Sequence, residues 1–290
     1  MSVVILGSTG MLGDAVSEVF EDFDGDVYLT SRDNAPKRRD SGSHHIEFDA
    51  LKDSLEAALG FLQPGDFVIN CIGIIKTEID EASVASCERA RQINSEFPAR
   101  LVRFAEGRGF RVIQIATDCV FSGREGHYSE TSLHDPVDVY GKTKSAGEVA
   151  SENIMHLRVS IIGPEKRGFT SLFEWVARQK PGAEITGYIN HFWNGIPAKH
   201  FGQMARAVIE HNLFNAGVHH VLPADEVSKA ELVRLIVARC GRVDIQITDG
   251  NASVAVDRTL STDDPLFNSK LWAATGRETV PSVAELVAEI

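Results

Sequence analysis

The segment "SVVILGSTGMLG", residues 2–13, decides the fold. An apolar run rich in Val and Ile predicts a β-strand, and the glycines that follow it, spaced G-x-x-G-x-x-G, lead into a helical pattern. Gly7 permits a tight turn, Gly10 lets a pyrophosphate approach the backbone, and Gly13 allows close packing of helix on strand. This context predicts a dinucleotide-binding turn, the alternative being a structural glycine turn. The residues expected to contact the cofactor here are Gly7, Thr9, Gly10, Met11, Leu12 and Gly13.

The alternation of strand and helix continues to about residue 165. The predicted strands are "SVVILG", "DVYLTS", "HHIEF", "FVINCIG", "RVIQIAT" and "MHLRVSII", and the predicted helices cover residues 11–22, 50–62, 82–108 and 140–153. Several strands are apolar without alternation, which is typical of a parallel sheet covered by helices on both faces. The pattern therefore predicts an α/β fold with a Rossmann-like, doubly wound parallel sheet.

After "GPEKRG", residues 163–168, the pattern loosens. The predicted elements of this half are a helix near 169–180, a strand at 184–188, a helix at 198–212, a strand at 219–222 and helices at 228–241 and 281–290. The last two begin with capping boxes, Ser228 with Glu231 and Ser282 with Glu285. We expect residues 1–165 to form a NADP-binding domain and residues 166–290 a smaller α/β substrate lobe, with excursions of the chain between the two.

Composition excludes several classes of protein. The formal net charge of −12 and the pI near 5.3 disfavour general binding to nucleic acid or to an anionic membrane. No run of 18 apolar residues and no basic leader is present, so we expect a cytoplasmic protein. The four cysteines lie far apart, and no His/Cys cluster has the spacing of metal ligands, so no metal site is predicted.

The second strand indicates which dinucleotide is bound. NAD sites usually carry Asp or Glu at this point, whereas the strand here ends in Ser31 and Arg32, which favours NADP(H). The alternative for Arg32 is a solvated loop charge. Asp49, after the third strand, either accepts from the adenine amino group or caps the next helix. The residues after the fourth strand that should lie over the cofactor are Cys71, Ile72 and Gly73.

The segment "DVYGKTKSAGE", residues 138–148, supplies candidate catalytic residues. The pair Tyr140 and Lys144 is poor evidence alone, but four-residue spacing in a helix puts both side chains on one face. An ammonium near the phenol lowers its pKa and also holds the nicotinamide ribose, while Thr117, at the end of the fifth strand, polarises a substrate carbonyl. Jointly these residues predict a reductase site; singly each has an ordinary structural explanation.

Four segments resemble the extended short-chain dehydrogenase/reductase family, in its dTDP-4-dehydrorhamnose reductase branch. They are "GSTGMLG", "IATDCVFSG", "YSETSLHDPVDVYGKTKSAGE" and "LRVSIIG", with weaker likeness in "INSEFPARLVRFAEGRG" and "DRTLSTDDPLFNSKLWAATG". The resemblance implies a Rossmann domain with a C-terminal substrate domain. Catalytic Thr, Tyr and Lys fall on Thr117, Tyr140 and Lys144, Asp118 falls on a substrate contact, and Asn94 joins the expected cofactor residues.

The sequence also departs from that branch. The usual "NAAAYT" is "NCIGII", and the Trp of "RTSWVYG", which helps hold the deoxysugar, is replaced in "RVSIIGP". Trp193 either takes over that substrate-binding role or anchors the second lobe.

The sequence therefore predicts an NADPH-dependent reductase of a nucleotide-activated 4-keto-6-deoxyhexose, in deoxysugar synthesis for surface polysaccharide. Its partner is the nucleotide sugar, with a homodimer as the candidate assembly. The alternatives are an epimerase or dehydratase of the same family and a non-catalytic nucleotide-binding subunit, since the regulatory subunit of methionine adenosyltransferase resembles this branch.

Overall fold

The computed structural model describes residues 1–32 and 42–290. The strands in these ranges are, in chain order, β1 Ser2–Leu6, β2 Asp26–Ser31, β3 His44–Glu47, β4 Phe67–Asn70, β5 Arg111–Ala116, β6 Ile154–Arg158, β7 Ile161–Ile162, β8 Glu184–Tyr188, β9 His191–Trp193, β10 Ile196–Pro197, β11 Gly217–His220, β12 Val227–Ser228, β13 Gln246–Gly250 and β14 Val256–Asp257. The α-helices are α1 Met11–Val19, α2 Leu55–Leu59, α3 Val84–Arg91, α4 Phe97–Arg108, α5 Val139–Ala146, α6 Leu172–Ala177, α7 Ala198–Glu210, α8 Lys229–Arg239, α9 Pro265–Ala274 and α10 Val283–Ala288.

The main sheet runs in the order β3-β2-β1-β4-β5-β6-β11, with every neighbouring pair parallel. The chain reverses its direction of travel between β1 and β4, and ligands of such sheets bind at this switch point, beyond the carboxyl ends of the strands. The predicted doubly wound α/β fold is therefore confirmed.

Helices cover both faces of the sheet. Val3 and Ile5 of β1 belong to one buried cluster with α1, α7 and α9, whereas Val4 and Leu6 belong to a second with α2 and α4. Because successive strand residues point to opposite faces, the unbroken apolar run "VVIL" fills both layers.

Several helices are shorter than predicted, and the two largest differences in the first half of the chain have a clear cause. The helix predicted over 50–62 begins at Leu55, where Ser54 caps it by accepting from the Ala57 amide. The helix predicted over 140–153 ends at Ala146, followed by Gly147. A Cβ on Gly147 would lie 2.0 Å from the Asn94 carbonyl oxygen, so glycine allows the end of α5 to contact the neighbouring helix.

The second half of the chain contributes to both parts of the molecule. β11 pairs with β6 in the main sheet, and α7 and α9 pack on the cluster that contains α1. A separate cluster joins α6, α8 and α10 with residues such as Ile185 and Trp193. The division into a cofactor part, 1–165, and a substrate part, 166–290, stays a prediction.

Candidate active site

The glycine turn after β1 has the geometry that its spacing predicts. Gly7 has a φ of 77°, a conformation that residues with a Cβ rarely adopt. A Cβ on Gly13 would lie 2.1 Å from the Gly7 carbonyl oxygen, so only glycine fits there. A Cβ on Gly10 would meet only that same oxygen, at 3.6 Å. The protein therefore requires glycine at positions 7 and 13, while position 10 leaves room for a ligand.

The start of α1 offers amide donors to an anion. Gly10 is its N-cap and supplies no side-chain acceptor, and Met11, Leu12 and Gly13 form the first turn. Thr30 of β2 fixes the preceding turn, because its hydroxyl accepts from the Gly7 amide at 3.0 Å. Thr9 lies within this turn. The six predicted residues therefore surround the start of α1, where free backbone amides could bind a dinucleotide phosphate.

The end of β2 carries polar and basic groups. Ser31 is buried and its hydroxyl lies 2.8 Å from Nε2 of His45 on β3. Arg32 is exposed. The residues that follow, 33–41, lie outside the described ranges.

Asp49 acts in its own turn. Its Oδ1 accepts from the Leu51 amide at 2.8 Å, and its amide donates to the Asp53 carboxylate. Lys52 lies 3.8 Å from Oδ2. Asp49 therefore forms a local turn, whereas the helix is capped by Ser54, five residues later.

The segment after β4 borders the glycine turn. The Cys71 amide donates to the Leu6 carbonyl, and the Ile72 side chain lies 3.0 Å from where a Cβ of Gly7 would stand. Gly73 follows beside Asn94.

Asn94 has a positioning role in this structure. It is buried in a π-helical turn, Gln92–Glu96, and its side chain bonds both the amide and the carbonyl of Ile74 at 2.9 Å. Its remaining N–H donates to the Thr143 hydroxyl at 3.1 Å. Both amide hydrogens are thus used by the protein, so Asn94 fixes α5 against the loop after β4.

Thr117, Tyr140 and Lys144 lie together beyond the carboxyl end of β5. Asp138 caps α5 by accepting from the Gly141 amide at 2.8 Å. A Cβ on Gly141 would lie 2.2 Å from the Cys119 carbonyl oxygen, so this glycine lets α5 approach the loop after Thr117. The sequence analysis missed Gly141, because its role becomes visible only when the helix and loop are seen packed.

The hydrogen bonds of these three residues are specific. The Thr117 hydroxyl donates to Asp118 at 3.1 Å and accepts from the Cys119 amide at 3.2 Å. Lys144 is 7% exposed, and its ammonium donates to the Ile115 carbonyl at 2.9 Å. Lys144 is therefore held under the ends of the strands and not in bulk water.

The electrostatics differ from the prediction. Burial raises the pKa of the Tyr140 phenol above its ordinary value; Cys119 adds to this shift and hydrogen bonding with Thr117 counters it. Burial lowers the pKa of Lys144 to about 8, partly offset by Glu148. The expected lowering of the Tyr140 pKa by Lys144 is absent from the free chain, because burial dominates and the ammonium bonds Ile115.

The two predicted substrate residues, Asp118 and Trp193, have different surroundings. Asp118 contacts Thr117, as described. Trp193 is 3% exposed within the second lobe's cluster and donates to the Ser160 hydroxyl at 2.9 Å, which favours the anchoring role. The ring of Trp193 faces the Lys229 ammonium at 5.5 Å. The sequence analysis did not single out Lys229, because it resembles an ordinary surface charge in the sequence.

Within residues 1–32 and 42–290, no three His, Cys, Asp or Glu side chains are grouped so that they could hold a metal ion. In the same part of the chain, no helix is both long and apolar enough to cross a bilayer.

Two curated relatives and one solved structure show what this chain is similar to. Methionine adenosyltransferase 2 subunit beta of Danio rerio is 28% identical over 246 residues, 79% of this chain and 71% of the relative. dTDP-4-dehydrorhamnose reductase of Mycolicibacterium smegmatis is 36% identical over 97 residues, 33% of this chain and 29% of the relative. The structure of dTDP-4-dehydrorhamnose reductase from Bacillus anthracis in complex with NADP has a TM-score of 0.71 at 17% identity, covering 99% of this chain and 97% of that one.

The match to a family model covers most of the chain. The RmlD substrate binding domain model matches residues 1–261, which include the glycine turn, Thr117, Tyr140, Lys144 and Trp193. The predicted resemblance to the dTDP-4-dehydrorhamnose reductase branch of the extended short-chain dehydrogenase/reductases is confirmed. This chain therefore belongs to the RmlD substrate binding domain family.

Proposed function

We propose that the protein is an NADPH-dependent reductase of a nucleotide-activated 4-keto-6-deoxyhexose, as in deoxysugar synthesis. The observation that carries the proposal is the convergence of Thr117, Tyr140 and Lys144 in one cleft beyond β5, beside the glycine turn after β1. Bound NADPH supplies a hydride to the carbonyl carbon. Side chains of this protein donate the proton and orient the substrate carbonyl.

The raised pKa of Tyr140 fits reduction better than oxidation. A phenol whose pKa is raised stays protonated at neutral pH, so Tyr140 holds the proton that the developing alkoxide takes up. Tyr140 therefore donates its proton to the carbonyl oxygen as the C–H bond forms. Thr117 turns its hydroxyl from Asp118 to the same oxygen, and Lys144 holds the nicotinamide ribose.

The cofactor residues are those that border the cleft. The amides of residues 10–13 are proposed to hold the pyrophosphate, with Cys71, Ile72 and Gly73 along the ribose. Ser31 and Arg32 are proposed to select the 2′-phosphate of NADP(H), which the NADP complex of the Bacillus anthracis reductase supports.

A turnover assay tests the proposal. Purified protein mixed with NADPH and dTDP-4-dehydrorhamnose is expected to lose nicotinamide absorbance and to yield the reduced sugar. Turnover only with a different nucleotide-activated keto-sugar would keep the reductase and change the substrate. Absence of turnover with every keto-sugar, despite tight NADP binding, would overturn it.

A regulatory nucleotide-binding subunit is the second candidate. The similarity to methionine adenosyltransferase 2 subunit beta, over 79% of this chain, favours it. It is distinguished by the same assay, because a subunit of that kind binds the dinucleotide without consuming it. An epimerase is distinguished by product analysis, since it would return an isomer with no net oxidation of NADPH.

Replacing Arg32 by Ala tests the cofactor preference. We expect KM for NADPH to rise roughly tenfold and KM for NADH to change little, because only NADPH carries the 2′-phosphate that the guanidinium would pair with. Steady-state kinetics with both cofactors measure the ratio. A ratio equal to that of the wild type would show that Arg32 is a solvated loop charge.

The pH dependence of kcat/KM reports the Lys144 ammonium. Because its pKa is lowered to about 8, Lys144 is charged at neutral pH and becomes neutral above that value. We expect kcat/KM to be level up to about pH 8 and to fall beyond it. Lys229 shares the same lowered pKa, so Lys229→Met is the control and should retain the alkaline fall. A fall that vanishes in Lys229→Met would assign it to the other lysine.

A further inference from the structure

A buried arginine, Arg158, ends β6 and reaches the helix that carries Tyr140 and Lys144. Arg158 is 1% exposed, and its Nε and one terminal nitrogen form a fork on the Glu148 carboxylate, whose side chain is 6% exposed. Glu148 follows the end of α5, and its amide donates to the Ser145 carbonyl at 3.2 Å. The fork therefore fixes the carboxyl end of α5, about one helical turn beyond Lys144.

Two histidines accept further hydrogen bonds from the guanidinium. Arg158 lies 2.8 Å from Nε2 of His134 and 2.8 Å from Nε2 of His220. Because a guanidinium carries only donors, each Nε2 supplies a lone pair, and the proton of each neutral ring lies on Nδ1. Nδ1 of His134 then donates to the Ser145 hydroxyl at 2.7 Å, and Nδ1 of His220 donates to the Ser261 carbonyl. Arg158 is thereby connected to α5 a second time, and also to the chain at Ser261.

The chain around Ser261 connects this network to the second lobe. Leu260, which precedes Ser261, exchanges two hydrogen bonds with the Asn194 side chain, at 2.7 and 3.0 Å. Asn194 directly follows β9, whose Trp193 belongs to the buried cluster of the second lobe. A continuous connection of covalent and hydrogen bonds thus runs from the end of α5, through the guanidinium and an imidazole ring, to that lobe.

We infer that Arg158 is a positioning residue for the proposed reaction, which holds Lys144 in place from the carboxyl end of α5 and couples this helix to the second lobe. The inference rests on the proposed function. A buried ion pair adds little net stability because desolvation offsets the attraction between the charges, so the Arg158–Glu148 fork contributes mainly a fixed geometry. The amino end of α5 is held separately, since Lys76 lies 2.8 Å from its cap, Asp138. Loss of the fork should therefore loosen the half of α5 that carries Lys144.

The fork also fixes a negative charge near the Lys144 ammonium. The titratable groups that interact with this ammonium are Glu148, Cys71, Cys119 and His156. Burial lowers the pKa of Lys144, and Glu148 is the largest of the influences that oppose this shift. A Glu148 carboxylate released from the fork is free to turn toward solvent, and the pKa of Lys144 then falls further.

Hydrogen exchange followed by mass spectrometry tests the inference without turnover. In Arg158→Lys, which keeps the charge and loses the fork, we expect peptides covering α5 and residues 259–263 to exchange at least about tenfold faster than in the wild type. Arg242→Lys is the matched control, because Arg242 forms the same kind of fork on Asp244, beyond α8. It should leave exchange in α5 unchanged. Unchanged exchange in α5 of Arg158→Lys, or faster exchange over the whole chain, would overturn the inference.

His134→Gln is a second variant, for the case that Arg158→Lys does not fold. Glutamine retains an acceptor for Arg158 at the position of Nε2 and loses the donor to the Ser145 hydroxyl. We therefore expect faster exchange confined to the last turn of α5. Exchange equal to that of the wild type in this turn would then contradict the inference.

Kinetics connect the inference to the reaction. In Arg158→Lys we expect kcat to fall roughly tenfold, KM for the keto-sugar to change little, and the alkaline fall of kcat/KM to begin at a lower pH than in the wild type. In Arg242→Lys all three should stay as in the wild type. A wild-type pH profile in Arg158→Lys would leave Arg158 a purely structural role and overturn the inference. If the wild type turns over no keto-sugar, the proposed function fails, and hydrogen exchange still decides whether Arg158 fixes α5.

Discussion

Tyr140→Phe is expected to lower kcat by roughly 10²- to 10⁴-fold while the KM values for NADPH and the keto-sugar stay near those of the wild type. The variant keeps the aromatic ring that packs at the start of α5 and removes only the hydroxyl. Because that hydroxyl is the proposed proton donor, the loss falls on the chemical step and not on binding. Stopped-flow measurement of NADPH oxidation in a single turnover separates the two.

Tyr28→Phe is the matched control. Tyr28 lies on β2, where its ring packs against His44 at 4.8 Å and Phe61 at 4.5 Å, on the other side of β1 from β5. Removing its hydroxyl is expected to leave kcat unchanged. If Tyr140→Phe retained full activity while Tyr28→Phe behaved in the same way, the assigned proton donor would be wrong.

The sheet could be predicted because its strands are continuous apolar runs. "VVIL" in β1 and "FVIN" in β4 are buried on both faces, a burial that sequence indicates without knowledge of the neighbours. Helix ends were less predictable. The end of α5 depends on the contact between Gly147 and the Asn94 carbonyl, which joins residues 53 positions apart (147 − 94 = 53).

The residues of the candidate site could be predicted from the sequence, but the pKa shifts of those residues could not. Spacing and position led to Thr117, Tyr140 and Lys144, because strand ends and helix faces follow from local pattern. The pKa shifts depend on how much water the folded chain removes and on which acceptor Lys144 finds.

Gly13→Ala is expected to lower stability and Gly10→Ala to weaken cofactor binding, although both glycines belong to one motif. At Gly13 the new Cβ would lie 2.1 Å from the Gly7 carbonyl oxygen and 2.9 Å from the Ser8 Cα, and only a movement of α1 away from the turn relieves this. We expect a loss of about 3 kcal/mol in the free energy of unfolding, seen as a fall in Tm of roughly 5–10 °C.

At Gly10 the protein tolerates the methyl group and the ligand does not. Gly10 has φ −79° and ψ 167°, which alanine adopts readily, and its nearest protein atom is 3.6 Å from the new Cβ. We expect Tm to change little, while NADP(H) binding weakens at least about tenfold because the methyl group occupies the space proposed for the pyrophosphate. Calorimetry of both variants with NADP(H), alongside thermal unfolding, measures the two effects. Unchanged NADP(H) affinity in Gly10→Ala would place the dinucleotide elsewhere, and an undisturbed Tm in Gly13→Ala would contradict the close packing of α1 on the turn.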